Sequence, residues 1–415
     1  MKDIPVQSTA YGYRPLLRTP GAAAFFLTAA AGRVGLAMTG LGLVWLLHAR
    51  TGSYTTAGLA TAGFALADAL IGPQLARLID RFGQTRVLPY ALLVHGAAIG
   101  VVLASSTPTV AIVAASCAGA SVPQLGALSS ARWVHLLRGD RADELPTALS
   151  LESVANATAF LIGPVLITTL GALGATALAT AMAAALVLGG GAALAVQRRT
   201  APPTAHEHGG LPHSGKTLLR PGFLLLASLN LAIGLYFGTM QVSISAYATG
   251  HGIPGAAAAI IAAAGLGGLL CGWLYGLRRP RIPPSRQLVI ATAYLTVTAL
   301  LLPLAPSVIW LGADAVVTEA AVPPLLVLLN VPTERAVHPG VLTQAFTWNN
   351  SASAAGSALA GFLAGRAADT LNPAAALALA PTAGIVLLTL SVGFRRSANS
   401  SGRLSEGPPQ CPGVR

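Results

Sequence analysis

Apolar runs of about twenty residues recur along this chain, separated by short polar or Gly/Pro-rich breaks. Each is long enough to cross a hydrocarbon core of about 30 Å as a helix. Twelve spans are predicted, near 22–47, 56–78, 88–106, 109–131, 147–171, 173–196, 222–249, 254–277, 287–305, 307–330, 340–365 and 372–394. The tightest turns fall at Thr107-Pro108, Gly171–Gly174 and Ala305-Pro306. The period-2 alternation of a membrane β-barrel is absent. Lipid offers no partners for backbone polar groups, so the pattern predicts an all-α integral membrane fold. The first run is too long for a signal h-region, so it is expected to stay as a span.

The hydrophobic pattern pauses at 197–221, where Pro202, Pro203, Gly209, Gly210, Pro212 and Gly215 break any helix. Six spans precede this pause and six follow it. The expected organisation is a six-helix half over 1–196, a cytoplasmic linker over 197–221, a second half over 222–394 and a disordered tail over 395–415. A short basic loop follows the second span of each half, Arg77–Arg86 and Arg278–Arg286. Such weak internal symmetry is expected of two parallel six-helix repeats.

Composition agrees with a membrane solvent. The chain has 415 residues, 54% hydrophobic and only 9% charged, against about 25% charged in soluble domains. The net charge of +12 is placed by topology and not by nucleic acid. With the N-terminus in the cytoplasm, Arg33 falls within a span and Arg50 and Arg366 at far ends, and every other Lys and Arg is cytoplasmic. This is the positive-inside pattern, and it predicts a multi-pass protein of the cell (inner) membrane with both termini cytoplasmic. Lys2 and Lys216 are the only lysines, and Ala, Gly and Pro abound, which hints at a GC-rich bacterial coding sequence. Cys117, Cys271 and Cys411 have no disulfide or metal spacing. His206, Glu207, His208 and His213 lie in the linker without a helix to fix their spacing, and are read as solvated.

The most specific stretch is Gly72-Pro-Gln-Leu-Ala-Arg-Leu-Ile-Asp-Arg-Phe-Gly-Gln-Thr-Arg86, between the second and third spans. Asp80, Arg81, Gly83 and Arg86 match a D-R-x-G-x-x-R spacing that resembles the same loop of major facilitator superfamily transporters. Ala76 and Gln84-Thr85 depart from the family's usual G and R-R. Gly83 suits a turn with φ > 0, and Asp80 suits an arginine or a helix N-terminus. The resemblance implies a latch between the ends of the two halves that releases as the transporter switches. The corresponding Gly276-Leu-Arg-Arg-Pro-Arg281 lacks a carboxylate, so a symmetric second latch is not expected. In the fifth span, Gly163-Pro164 resembles the centre of a motif of drug-exporting antiporters. Gly163 permits close helix approach and Pro164 bends the span.

Ionisable groups at bilayer depth are costly and functional by default. Arg33, Asp68 and Glu319 are predicted near the midplane, Asp314 nearer the outer edge and Glu152 near the inner end of its span. The family resemblance places Arg33, Asp314 and Glu319 on cavity-lining spans. Asp314 and Glu319 are about 140° apart on a helix, so both do not face the cavity squarely. Glu319 or Asp314 is the expected carrier of a coupling proton, with Arg33 tuning it or binding an anionic group. The competing reading is a static Arg33–Asp68 pair between adjacent spans. Gln124, Asn156, Asn230, Gln241, Gln344, Trp348 and Asn349 are candidates for substrate recognition or plain interhelical hydrogen bonds, and Glu152, Asn156 and Phe160 share one helix face.

The expected function is proton-coupled export of a small, amphipathic drug or metabolite by a monomer, with the substrate, protons and the bilayer as partners. No cofactor or metal is expected, and no Walker, H-E-x-x-H or G-x-S-x-G motif occurs. A proton-coupled uptake symporter of the same fold is the alternative, and a polytopic membrane enzyme a remote one.

Overall fold

The computed structural model describes residues 12–204, 214–253, 255–278 and 282–405. The four linker residues His206, Glu207, His208 and His213, and Cys411, lie outside the described residues. The described chain is helical throughout. A short helix α1 (Tyr13–Arg18) precedes α2 (Ala22–Thr51), α3 (Tyr54–Phe82), α4 (Gln84–Ala104), α5 (Pro108–Ala120), α6 (Leu125–Leu136), α7 (Leu145–Ala172) and α8 (Thr176–Val196). The second half holds α9 (Pro221–Gly250), α10 (Ala256–Leu277), α11 (Pro284–Ala299), α12 (Val308–Glu319), α13 (Val322–Ala336), α14 (Leu342–Thr370), α15 (Pro373–Leu377) and α16 (Leu379–Ser405).

Three expected spans are divided between two α-helices, the twelfth between α15 and α16 at Ala378. The fourth divides into α5 and α6 around Ser121–Gln124, where Pro123 removes a backbone donor. The tenth divides into α12 and α13 at Ala320–Ala321, just before Pro323-Pro324. The fourth crossing of each half is therefore broken, in keeping with a repeated architecture. α16 runs on to Ser405, past the expected start of the tail at 395, because no glycine or proline intervenes between Phe394 and Gly402.

Among the described residues, eleven crossings are long and apolar enough to span a bilayer on length and composition. The remaining crossing, α14, eleventh in chain order, has the length but begins Leu-Thr-Gln-Ala-Phe-Thr-Trp-Asn-Asn-Ser. It is accommodated by packing its small residues onto α9. A Cβ on Gly234 or Gly238 would fall on the backbone of Ser353 or Ser357, and one on Gly356 on the backbone of Leu231. In lipid there is no hydrophobic drive between helices, so this close backbone approach supplies the contact. α2 meets α7 in the same way, with Gly163 against Ala37 and Val34.

The two halves share a buried core at the end of the bundle that carries the linker. Leu128, Trp133 and Leu149 of the first half pack with Val331, Leu342 and Phe346 of the second. The other buried clusters each draw on one half alone. The shared buried core thus lies at the linker end, and contact between the halves continues along α7 and α10 as far as Leu161 and Gly265.

Candidate functional site

In the first half, α2 presents Arg33 to α7 at the level of Glu152. Both are buried, at 5% and 6% exposure. The Arg33 Nη2 pairs with Glu152 Oε2, and its Nη1 donates to the Glu152 carbonyl at 3.2 Å. The other carboxylate oxygen accepts from Ser129 Oγ at 2.6 Å and from Trp133 Nε1 at 2.7 Å. Ser129 and Trp133 are four apart on α6 and reach the same face. Both carboxylate oxygens are occupied, whereas Arg33 Nε is buried without a hydrogen-bond partner. The static partner of Arg33 is thus Glu152, and the competing reading of an Arg33–Asp68 pair is not realised. Asp68 on α3 instead accepts from Gln124 Nε2 at 2.7 Å. The break between α5 and α6 brings that amide to α3, while Arg33 turns toward α6 and α7.

The second half differs. Glu319 ends α12 at the helix break, half-buried, and accepts from Tyr236 Oη of α9 at 3.4 Å. Its side chain lies along α10, where a Cβ on Gly268 would come within 3.3 Å of Glu319 Cγ. Asp314 is half-buried, and its Oδ2 is buried without a hydrogen-bond partner. No Lys, Arg or His pairs with Glu319, which meets the Tyr236 hydroxyl, or with Asp314 among the described residues.

At the linker end, Asp80 of α3 reaches the start of α14. Its carboxylate accepts from the backbone N–H groups of Thr343 at 3.3 Å and Gln344 at 2.9 Å. Those amides have no partner within their own helix, and the positive end of the helix dipole favours the anion. Of the two partners open to Asp80, the helix N-terminus is the one used. Arg81 and Arg86 are exposed, and the Arg81 guanidinium lies over the Phe82 ring at 5.0 Å. Gly83 closes α3 at φ +95°, as the turn requires.

The neutral candidates do not converge on one point. Asn230 is buried and donates to Leu226 O of its own helix at 2.9 Å. Asn349 is buried and donates to Thr333 Oγ1 at 2.9 Å. Gln344 is buried beside Asp80, whereas Asn156, Phe160 and Trp348 are exposed. Gln241 is exposed in a groove between α9 and α14 with Ser245, Thr249 and Asp369.

Sequence reasoning passed over Arg132, counting it as a loop arginine. It is fully buried in α6 with no carboxylate beside it. Its Nε donates to Gln84 Oε1 at 2.8 Å, Nη1 to Gln197 O at 3.0 Å and Thr200 Oγ1 at 2.8 Å, and Nη2 to Leu194 O at 2.9 Å. The carbonyl-rich C-terminus of α8 takes the place of a counter-ion. Tyr236 was also missed, since a tyrosine in an apolar span carries no motif.

The sequence matches the family model described as Major Facilitator Superfamily over residues 24–361. The chain belongs to that superfamily. Solved structures share its fold. The human organic anion transporter MFSD10 (TETRAN) has a TM-score of 0.67 at 15% identity, covering 89% of this chain and 98% of its own. FucP in the outward conformation has a TM-score of 0.68 at 13% identity, covering 89% and 98%. An outward-facing bacterial homologue of the iron transporter ferroportin has a TM-score of 0.71 at 13% identity, covering 90% and 99%. A search of curated proteins finds no significant match.

Proposed function

We propose that this transporter couples export of a small amphipathic molecule to proton entry by alternating access, with Glu319 as the proton carrier. The observation that carries the reading is the asymmetry of the buried carboxylates. Glu152 is matched by Arg33 and accepts from two further donors, so its carboxylate is committed to structure. Glu319 meets only a neutral phenol at 3.4 Å, at a helix break that separates two rigid segments. A carboxyl so placed can be neutral in one conformer and ionised in another, which is what coupling requires. Asp314, five residues away on α12, is the second candidate. Arg33 is committed to Glu152 and is not proposed as an anion site.

The linker end is taken as cytoplasmic from the distribution of Lys and Arg, so the closed linker end corresponds to an outward-facing state. Gly163-Pro164, with its likeness to the antiporter motif, supports export over uptake. The test uses inside-out vesicles with a pH-quenched dye, a panel of drugs and metabolites, and Glu319→Gln as comparison. Dequenching by one compound, lost in the variant, is expected. Proton flow of the opposite sense would assign uptake. Undiminished coupling in Glu319→Gln would remove Glu319 from the role.

A further inference from the structure

The seam between α3 and α14 is closed by Asp80, but the equivalent seam between α7 and α10 has no carboxylate to close it. The stretch from the end of α10 to Arg286, Gly276-Leu-Arg-Arg-Pro-Arg-Ile-Pro-Pro-Ser-Arg286, carries no carboxylate. A different group occupies that seam. Tyr13 of α1 donates its hydroxyl to Trp273 O of α10 at 2.8 Å and lies 3.2 Å from Ser150 Oγ of α7. Ser150 Oγ in turn donates to Gly272 O of α10 at 2.6 Å. The Tyr13 ring lies 6.5 Å from the Trp273 ring. Room for this arrangement exists because residue 276 is glycine. A Cβ there would strike both Tyr13 Oη and Ser150 Oγ.

The helix that brings Tyr13 to the seam is itself anchored. Leu16 is 2% exposed and enters the core that both halves share. Thr19 Oγ1, just after α1, accepts from Arg141 Nη2 at 3.2 Å, and Arg141 pairs with Glu144 at the foot of α7. Burial raises the phenol above its ordinary value of 10.0, so Tyr13 is a neutral donor at physiological pH. The two carbonyls it and Ser150 serve, Trp273 O and Gly272 O, lie one turn before the end of α10, and each can accept the bridge on its second lone pair beside its intrahelical bond.

We propose that Tyr13 is a gating residue: its hydroxyl bridges α7 and α10 and holds the linker end of the transporter closed, as the counterpart of the Asp80 latch on the opposite seam. Opening that end must separate α7 from α10 and so break the bridge, while opening the far end leaves it intact. The N-terminal segment thereby biases the conformational equilibrium without touching substrate. The inference rests on alternating movement of the two halves and not on proton coupling, direction or substrate.

The test is a pair of spin-label distances in full-length protein with Cys117, Cys271 and Cys411 replaced by serine, reconstituted without substrate. Labels at Ala142→Cys and Leu277→Cys report the linker end, and labels at Leu173→Cys and Gly255→Cys report the far end. Tyr13→Phe removes only the hydroxyl. One net hydrogen bond is about a fivefold shift in an equilibrium, so the linker-end-open population is expected to rise about fivefold as the far-end distance shortens. Ser150→Ala is expected to act in the same direction, with the double variant less than the product of the two. Unchanged distributions in Tyr13→Phe, or a lower melting temperature without redistribution between the ends, overturn the proposal. If Tyr13→Phe does not fold, unchanged distributions in Ser150→Ala overturn it. The distances are read with Glu319 intact and without substrate, whereas proton coupling is read in energised vesicles, so the two ideas fail separately.

Discussion

The Asp80 carboxylate sits 2.9 Å from the backbone nitrogen of Gln344, across 264 residues of chain and between the two halves of the protein. One aspartate thus caps a helix that belongs to the other half. The cap exists only while the halves are together at the linker end, so helix capping energy becomes conformational energy. Asp80→Asn keeps an acceptor oxygen but loses the charge that suits the helix dipole, a loss of about 0.3–1 kcal/mol. Asp80→Ala loses the cap entirely, about 1 kcal/mol or more. A cysteine at Ala345, fully buried in the shared core, should be alkylated a few-fold faster in Asp80→Asn and faster again in Asp80→Ala. Equal labelling rates in all three backgrounds would remove Asp80 from the latch.

The Arg33–Glu152 pair should behave as one unit in stability. Removing one partner strands the other charge inside the protein at a cost of about 3–5 kcal/mol. Arg33→Met and Glu152→Gln should therefore each lower the melting temperature in detergent sharply. The double variant has no buried charge to strand, and should recover most of the loss. Additive losses would mean that the two side chains act independently.

Close packing of α9 on α14 predicts a steep dependence on side-chain size. Gly238→Ala places a methyl against the backbone of Ser357, which cannot rotate away as a side chain does. Forced overpacking of this kind costs about 1–3 kcal/mol. Gly100 of α4 faces open space, and Gly100→Ala should be neutral or stabilising by up to about 1 kcal/mol, on helix propensity alone. Thermal melts of the two variants should move in different directions. A stable Gly238→Ala protein would show that the two helices are farther apart than described.

The hydrophobic pattern was enough to read the helical architecture because each crossing must be apolar along about 20 residues whatever its neighbours. Asp80 and Gly83 were legible because a turn and a helix cap need particular residues at particular places. The partners of buried charges were not legible. Depth follows from counting at about 1.5 Å per residue, which put Arg33 and Asp68 at one level. It does not say that Arg33 turns toward α7, which is distant in sequence. The helix breaks at Pro123 and before Pro323-Pro324 lay within runs whose mean hydropathy masked them. Tyr13 and Arg132 belonged to segments read as loops, where nothing in the local pattern marks a residue that will be buried by an element far along the chain.

Arg132 offers the sharpest test of that last point, because its role depends on geometry and not on charge alone. Its guanidinium serves Gln84 of α4, the end of α8 through Leu194 and Gln197, and Thr200 at the start of the linker. A planar fork with five donors can reach these directions at once, whereas a lysine ammonium is a point charge with three donors on a flexible stem. Arg132→Lys keeps the charge yet leaves carbonyls at the end of α8 unserved, and it buries an ammonium with no carboxylate beside it. Hydrogen bonds involving a charged group contribute about 1.5–3 kcal/mol each, so the variant should melt well below the parent. The loss should be local as well as global, because the junction between α8 and the linker is what the fork holds. Limited proteolysis in the linker after Val196 should therefore accelerate in Arg132→Lys at temperatures where the bundle is still folded. A variant that melts with the parent and is cleaved at the parent's rate would show that the charge alone suffices at this position.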